Sequence, residues 1–227
     1  MVTDVIKIYT FVPLSYSYLI IKLVHLLKIN LTFFMNIEPL IDYFSNYTPL
    51  SKEEIATLES AFAERKIKRR QFILQEGDVC KLNTFVIEGC FRMYLVDENG
   101  KEHNLQFAVE NWWIGDIGSF HSGEPSRLYI EALENSTILQ IKKEDQLKLF
   151  VEHPKFNRIF RVFTENALVS CQNRILQNIS STAEERYLDF VKRFPFFFNR
   201  ISNVQIASYL GVTPEFLSTI RKKISKS

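Results

Sequence analysis

Ser202-Asn203-Val204-Gln205-Ile206-Ala207-Ser208-Tyr209-Leu210-Gly211-Val212-Thr213-Pro214-Glu215-Phe216-Leu217-Ser218-Thr219-Ile220-Arg221 is the stretch on which the reading of this 227-residue chain turns. Ser202 and, three residues on, Gln205 form a capping box, whose side chains satisfy backbone N–H groups that a new helix leaves unpaired. The pattern predicts a helix from about Asn203. Ile206, Ala207 and Leu210 give it an apolar face, and the small Ala207 lets a crossing helix come close. Gly211 ends it, because the tight turn out of a helix needs a left-handed backbone. Thr213 can cap a second helix, Pro214 suits its first turn, and Leu217 and Ile220 are its buried positions. Two helices crossing over a short turn make either an ordinary helical hairpin or a helix-turn-helix.

The outer face of the second helix favours the helix-turn-helix. Thr213, Glu215, Ser218, Thr219 and Lys222 are short or flexible polar groups able to approach base edges, while Arg221, Lys223 and Lys226 can reach phosphates. From Lys192 onward the charges are Lys192, Arg193, Arg200, Arg221, Lys222, Lys223 and Lys226 against Glu215 alone, although the whole chain is only +2. A local basic excess is what phosphate neutralisation requires.

The remainder of the chain is long enough, and at 46% hydrophobic apolar enough, for two compact domains. Cys80, Cys90 and Cys171 are odd in number, widely spaced and without a C-x-x-C pair, which suggests neither a disulfide framework nor a thiolate metal site and fits a cytoplasmic protein. Residues 1–34 differ in character: rich in Ile, Leu, Tyr and Phe, interrupted by Lys7, Pro13, Lys22 and Lys28. Their longest uncharged part, Ile8 to Ile21, falls short of the roughly 20 apolar residues that span a bilayer. A membrane-associating helix, a core helix and a non-native extension upstream of a start at Met35 are the three readings, and the last is favoured because Met35 opens directly onto amphipathic sequence. Asn36 to Lys68 reads as helical, with a second capping box at Ser51 and Glu54.

Between Arg70 and Lys142 the period changes to short β-type runs: Phe72–Leu74, Thr84–Ile87, Phe91–Val96, Leu105–Val109, Leu128–Leu133 and Ile138–Ile141. Asn99-Gly100 marks a hairpin. Such strands imply an antiparallel, barrel-like roll with a small cavity. A long helix then runs to about Ile179. Phe156, Phe160, Phe163, Ala167, Cys171 and Ile175 step along it by three or four and are assigned to a dimer interface, which would set two recognition helices about one DNA turn apart. Packing of that stripe on the chain's own roll is the alternative. Ser181-Thr182 cap a further helix, and Phe194 to Phe198 read as packing beneath the helix-turn-helix.

The order of these parts, with Glu76-Gly77-Asp78, Glu88-Gly89, Trp112-Trp113-Ile114-Gly115-Asp116 and the string Ile206 to Glu215, resembles the Crp/Fnr family of bacterial transcription regulators from about Met35 to the end. The resemblance implies an α+β fold: N-terminal helices and an antiparallel, jelly-roll-type β-roll of the cyclic-nucleotide-binding kind over 35–150, a long dimerisation helix over 151–180, and a small helix-turn-helix domain over 181–227. It implies a homodimer reading a palindromic promoter site on double-stranded DNA, RNA polymerase as a partner, and an unknown small-molecule effector. Family members that bind cyclic AMP use a Gly-Glu pair and an Arg-Ser pair. Here the corresponding residues are Gly115-Asp116 and Ser126-Arg127, so the cation is displaced by one residue, which on a strand turns it to the opposite side. That leaves cyclic AMP disfavoured though not excluded; the cysteine cluster of the family's iron–sulfur sensors is absent, and His103 and His121 read as surface or loop histidines in preference to haem ligands, so no cofactor is assigned. Thr219 stands where relatives commonly carry an arginine that grips guanine, so a different target is expected.

Two other classes compete with a DNA-binding regulator. A cupin-like enzyme needs a histidine and carboxylate cluster, and His25, His103, His121 and His153 show no H-x-H spacing. A sensor acting through protein contacts instead of DNA is the other. Trp112 and Trp113 are read either as an aromatic wall of the cavity or as packing of the roll.

Overall fold

The computed structural model describes residues 35–224. The extension expected over 1–34 and the phosphate contact expected of Lys226 lie outside them. The residues from Asn36 onward form one compact unit.

Helix α1 (Glu38–Ser45) buries Leu40 and Phe44, and α2 (Lys52–Ala61) starts at the Ser51/Glu54 capping box, in which Glu54 N donates to Ser51 Oγ at 3.2 Å and Ser51 N to Glu54 Oε2 at 2.7 Å. The helical reading through Lys68 is corrected here. The chain straightens at Phe62 and Phe62–Ile67 is strand β1. Its sequence Phe-Ala-Glu-Arg-Lys-Ile is helix-like in composition, but it lies at a sheet edge, where exposed charges are tolerated, and it buries Phe62 and Ile67.

The other strands are β2 (Phe72–Leu74), β3 (Leu82–Glu88), β4 (Phe91–Val96), β5 (Glu102–Ala108), β6 (Trp113–Ile114), β7 (Tyr129–Ala132) and β8 (Ser136–Lys142). They make two four-stranded antiparallel sheets, β1-β8-β3-β6 and β2-β7-β4-β5. Leu74, Val86, Phe91, Ala108, Ile114, Ile130, Ala132 and Ile138 pack in the roll interior. Between β6 and β7 lies the short helix α3 (Ile117–Ser122), capped by Asp116.

Helix α4 (Lys143–Glu152) leads into α5 (Pro154–Ser180), with Pro154 in the first turn, where its missing N–H needs no partner. Phe44 stacks on Phe163 at 6.0 Å and meets Phe156 at 5.4 Å and Phe160 at 5.8 Å, and Trp113 lies 5.1 Å from Phe160. Phe156 and Phe160 are therefore buried against the chain's own roll and are not available to a partner, which corrects the dimer assignment for them; Phe163 packs there too, 4.9 Å from Tyr43. The reason lies in helix geometry. From Phe163 the sequence stripe steps by four through Ala167, Cys171, Ile175 and Ile179, and at 3.6 residues per turn each such step turns about 40° around the helix. A stripe that looks continuous in sequence rotates off the roll and ends outward, where Leu168, Val169, Ile175, Leu176 and Ile179 are exposed.

Helix α6 (Ala183–Arg193), a 3-10 turn (Pro195–Phe197), α7 (Asn203–Leu210) and α8 (Pro214–Ile224) complete the chain. Their core of Tyr187, Phe190, Phe197, Ile201, Ile206, Ala207, Leu210, Leu217 and Ile220 is continuous with Cys90, Phe107 and Val109 of the roll.

Because Phe44 is fully buried at the junction of α1, the roll and α5, Phe44→Ala is expected to destabilise the protein by about 3–5 kcal/mol, measured by denaturant unfolding.

Candidate nucleic-acid interface

The capping box at Ser202 forms as its residues require: Gln205 N donates to Ser202 Oγ at 3.3 Å and Ser202 N to Gln205 Oε1 at 3.1 Å. Gly211 closes α7 with φ +70°, and Val212 N donates back to the Ala207 carbonyl at 3.0 Å, tying off carbonyls at the helix end. Thr213 Oγ1 then accepts from Phe216 N at 3.2 Å and starts α8. Leu217 and Ile220 turn inward, leaving Thr213, Glu215, Ser218, Thr219 and Lys222 exposed on the other side.

The structure sorts these side chains. The hydroxyls of Ser218 and Thr219 donate to the carbonyls of Pro214 at 2.9 Å and Glu215 at 3.1 Å, so toward a base they offer acceptor lone pairs. Arg221 turns back, donating to Asn203 Oδ1 with its guanidinium over the Phe198 ring, and so braces α8 on α7. Lys223 is paired with Glu184 at 2.6 Å. Phe216, half exposed beside Glu215, was not among the expected contacts; an apolar ring there suits a thymine methyl. Its exposure follows from the spacing of Leu217 and Ile220, which leaves position 216 off the buried face.

These helices are seated on the outer face of the β2-β7-β4-β5 sheet. Phe107 on β5 meets Phe197 at 5.6 Å and Tyr209 at 5.4 Å. Ser208 Oγ accepts from Asn104 N at 3.0 Å and donates to the Glu102 carbonyl at 2.9 Å. Arg200, counted above among the basic residues of this end, faces the roll. It donates to both oxygens of Glu110, at 2.7 and 2.8 Å, and its Nε donates to Glu134 Oε1 at 3.1 Å. Gly89 N completes the Glu110 site at 2.8 Å. Gly89 has φ +112°, and a Cβ there would fall 2.0 Å from Ser136 Oγ, so only glycine closes this turn. Burial pushes the Glu110 carboxyl up, but hydrogen bonds from Arg200 and Gly89 outweigh it and hold the group below the usual carboxylate range.

Inside the roll is a cavity of about 380 Å³, lined by Ile73, Leu74, Ile114 and Ile130 with Thr84 and Gln140 as polar groups, and edged by Asp78 and Lys81. Gln140 Nε2 donates to Thr84 Oγ1 at 3.0 Å and Gln140 Oε1 accepts from Arg65 at 2.9 Å. Gly115 lies on the wall, while Asp116 spends one oxygen on Ser119 N at 3.2 Å and the other on the Ser126 hydroxyl at 2.7 Å. Ser126 is buried and Arg127 is exposed. Neither Trp112 nor Trp113 lines the cavity: Trp113 packs on Phe85 at 5.3 Å and Trp112 on Phe194 at 5.7 Å, so packing accounts for both. Among the described residues no group of three or more His, Cys, Asp and Glu side chains is placed to hold a metal ion, and no helix is long and apolar enough to cross a membrane.

Comparison with known proteins agrees with this architecture. Residues 64–153 match the cyclic nucleotide-binding domain family. The regulatory protein HlyX of Actinobacillus pleuropneumoniae is 26% identical over 197 residues, covering 78% of each chain. FixK2 from Bradyrhizobium japonicum superposes with a TM-score of 0.64 at 20% identity, over 73% of this chain and 85% of its own. A Crp/Fnr-family transcriptional regulator from Eubacterium rectale does so at 0.61 and 15% identity, over 81% and 88%. In fold, and at this level of identity in sequence, the chain is similar to regulators of the Crp/Fnr family.

The family match makes a cyclic nucleotide the group to test against the roll, and Lys81 is the one basic side chain among the residues lining its cavity. A buried phosphodiester needs a guanidinium or a set of backbone donors to offset its desolvation. Arg127 is exposed, and Asp116, already engaged by Ser126, adds a negative charge beside the cavity wall.

The Arg200 cluster has a pH signature. Glu110 is depressed in the folded protein, so its contribution is full above the ordinary glutamate range and is lost as pH falls through its lowered value. Arg200→Gln is expected to flatten the acid limb of a plot of unfolding midpoint against pH, with little change near neutrality in the slope that remains.

Proposed function

We propose that this regulator binds duplex promoter DNA as a homodimer, with α8 entering the major groove and Glu215, Phe216, Ser218, Thr219 and Lys222 meeting base edges. The observation that carries the reading is the exposed polar face of α8 on a helix pinned from behind by Leu217, Ile220 and Arg221. Glu215 is suited to accept from a cytosine amino group. Thr219 in place of an arginine removes a bidentate guanine grip, so the preferred site differs from one built around that contact.

The dimer surface in this reading is the outward arc of α5, namely Leu168, Val169, Ile175, Leu176 and Ile179 with Ala167 and Cys171 alongside, all exposed in the single chain. Leu168 and Ile175, and Val169 and Leu176, stand seven residues apart with Ile179 beyond them, and such large apolar side chains are costly to leave in water and match a coiled-coil seam. Two-fold pairing would place two α8 helices for a palindromic site. The roll acts as the sensor, its cavity taking a small effector that lacks a phosphate. The protein works in the cytoplasm, delivers its output to RNA polymerase, and performs no catalysis of its own.

Fluorescence anisotropy of a labelled duplex selected from a random library tests the reading. Affinity is expected to fall steeply with salt, by roughly one log unit per counterion released on a log–log plot, and to be unmoved by cyclic AMP. Glu215→Gln is expected to reduce discrimination between selected and scrambled duplex; equal discrimination would remove Glu215 from the reading set. Leu176→Glu is expected to give monomers by sedimentation velocity and weaken DNA binding at least about ten-fold, while a dimer that persists would move the interface elsewhere.

A further inference from the structure

A second cleft, of about 80 Å³, lies at the hinge where α5 gives way to α6 and the end of α7 packs between them. Its lining includes Arg174, Arg186, Arg193, Asp189 and Tyr209. Arg174 lies with its guanidinium 4.1 Å over the Tyr209 ring and donates to the carbonyls of Leu105, Asn104 and Tyr209. Arg186 donates through Nε to the Leu210 carbonyl at 3.2 Å and through Nη1 to the Ser181 carbonyl at 2.7 Å, and its Nη2 has no acceptor among the described residues. Arg193 donates to Asp189 at 2.9 Å, and the same carboxylate accepts from Gln177 Nε2 at 2.7 Å.

The imbalance stands out against the rest of the chain. Arg92 is matched by Glu102 and Glu131, and Arg200 by Glu110 and Glu134, so each of those sunken guanidiniums has two carboxylates. In the hinge cleft three guanidiniums share one carboxylate, and among the described residues neither Arg174 nor Arg186, both half-buried, has an ion-pair partner. Carbonyl dipoles orient these groups without neutralising them, and a partly desolvated guanidinium gains most from an oxyanion that can accept two of its N–H groups.

We propose that this cleft is a binding site for one tetrahedral oxyanion, a phosphoryl group. Its volume equals that of a few water molecules at about 30 Å³ each, enough for a phosphoryl group and too small for a nucleoside. An anion there bridges Arg174 of the long helix, Arg186 and Arg193 of α6, and the end of α7, and so fixes the reading helices relative to α5. The phosphoryl group comes either from a free phosphorylated solute or from the DNA backbone.

Isothermal titration of the full chain with inorganic phosphate, at ionic strength held constant with chloride and without DNA, tests the site. The expected result is saturable binding with one site per chain at millimolar affinity or tighter, competed by sulfate, and weakened about ten-fold in Arg193→Gln, whose exposed side chain is not needed for folding. Arg186→Gln, checked for folding by circular dichroism, is expected to weaken it likewise. Heats that stay linear, or that are equal in wild type and Arg193→Gln, overturn the proposal. The source is then resolved by repeating the DNA titration with saturating phosphate: loss of affinity beyond the chloride control identifies the DNA backbone as the natural occupant, and unchanged or raised affinity identifies a free solute.

Discussion

The packing of Phe107 between Phe197 and Tyr209 is the contact on which the arrangement of this protein depends. The segment after α5 consists of three short helices and one 3-10 turn. Units of about 40 residues rarely bury enough apolar surface to fold alone. Here the deficit is made up by borrowing Cys90, Phe107 and Val109 from the outer side of the roll. The DNA-reading helices therefore have no core independent of the sensor. Any change that shifts β4 or β5 is felt at α7 through Ser208 and Asn104, and at α6 through the aromatic cluster. The roll and the C-terminal helices thus share one continuous core.

Charge is distributed to the same end. The C-terminal segment is basic in sequence, but its arginines are largely spent within the protein. Arg200 clamps two roll carboxylates, Arg186 holds carbonyls at the hinge, and Arg221 locks the two reading helices together. The other basic side chains of this end, Lys192, Lys222 and Lys223, are exposed, with Lys223 beside Glu184. Arginine suits the internal role because its planar fork fixes several partners at once, which an ammonium does not do.

What was legible in the sequence was local. The capping boxes at Ser51 and Ser202, the cap at Thr182, the left-handed Gly211 and the Pro214 start all depend on neighbours within a few residues, and each formed. Features set by distant partners were not legible. Strand β1 is helix-like in composition and becomes a strand because β8 pairs with it, Arg65 reaching Gln140 across 75 residues of sequence. Arg200 meets Glu110 across 90 residues, and nothing near Arg200 distinguishes it from a phosphate contact. Arg127, expected on a strand, lies instead in a bend ahead of β7, where it is exposed, so strand alternation is not what sets its direction. The α5 stripe failed for a geometric reason, since spacing by three and four does not say which way a face has drifted over a helix of 27 residues.

Hydroxyl-radical footprinting of the full chain on a selected duplex tests the central claim most directly, because it reads the number, spacing and orientation of the reading helices at once. The account predicts two protected segments on one face of the DNA, centred about one helical turn apart, each weakened together when Leu176 is changed to Glu. A single protected segment that is indifferent to that substitution, or uniform protection without a pattern, would contradict it.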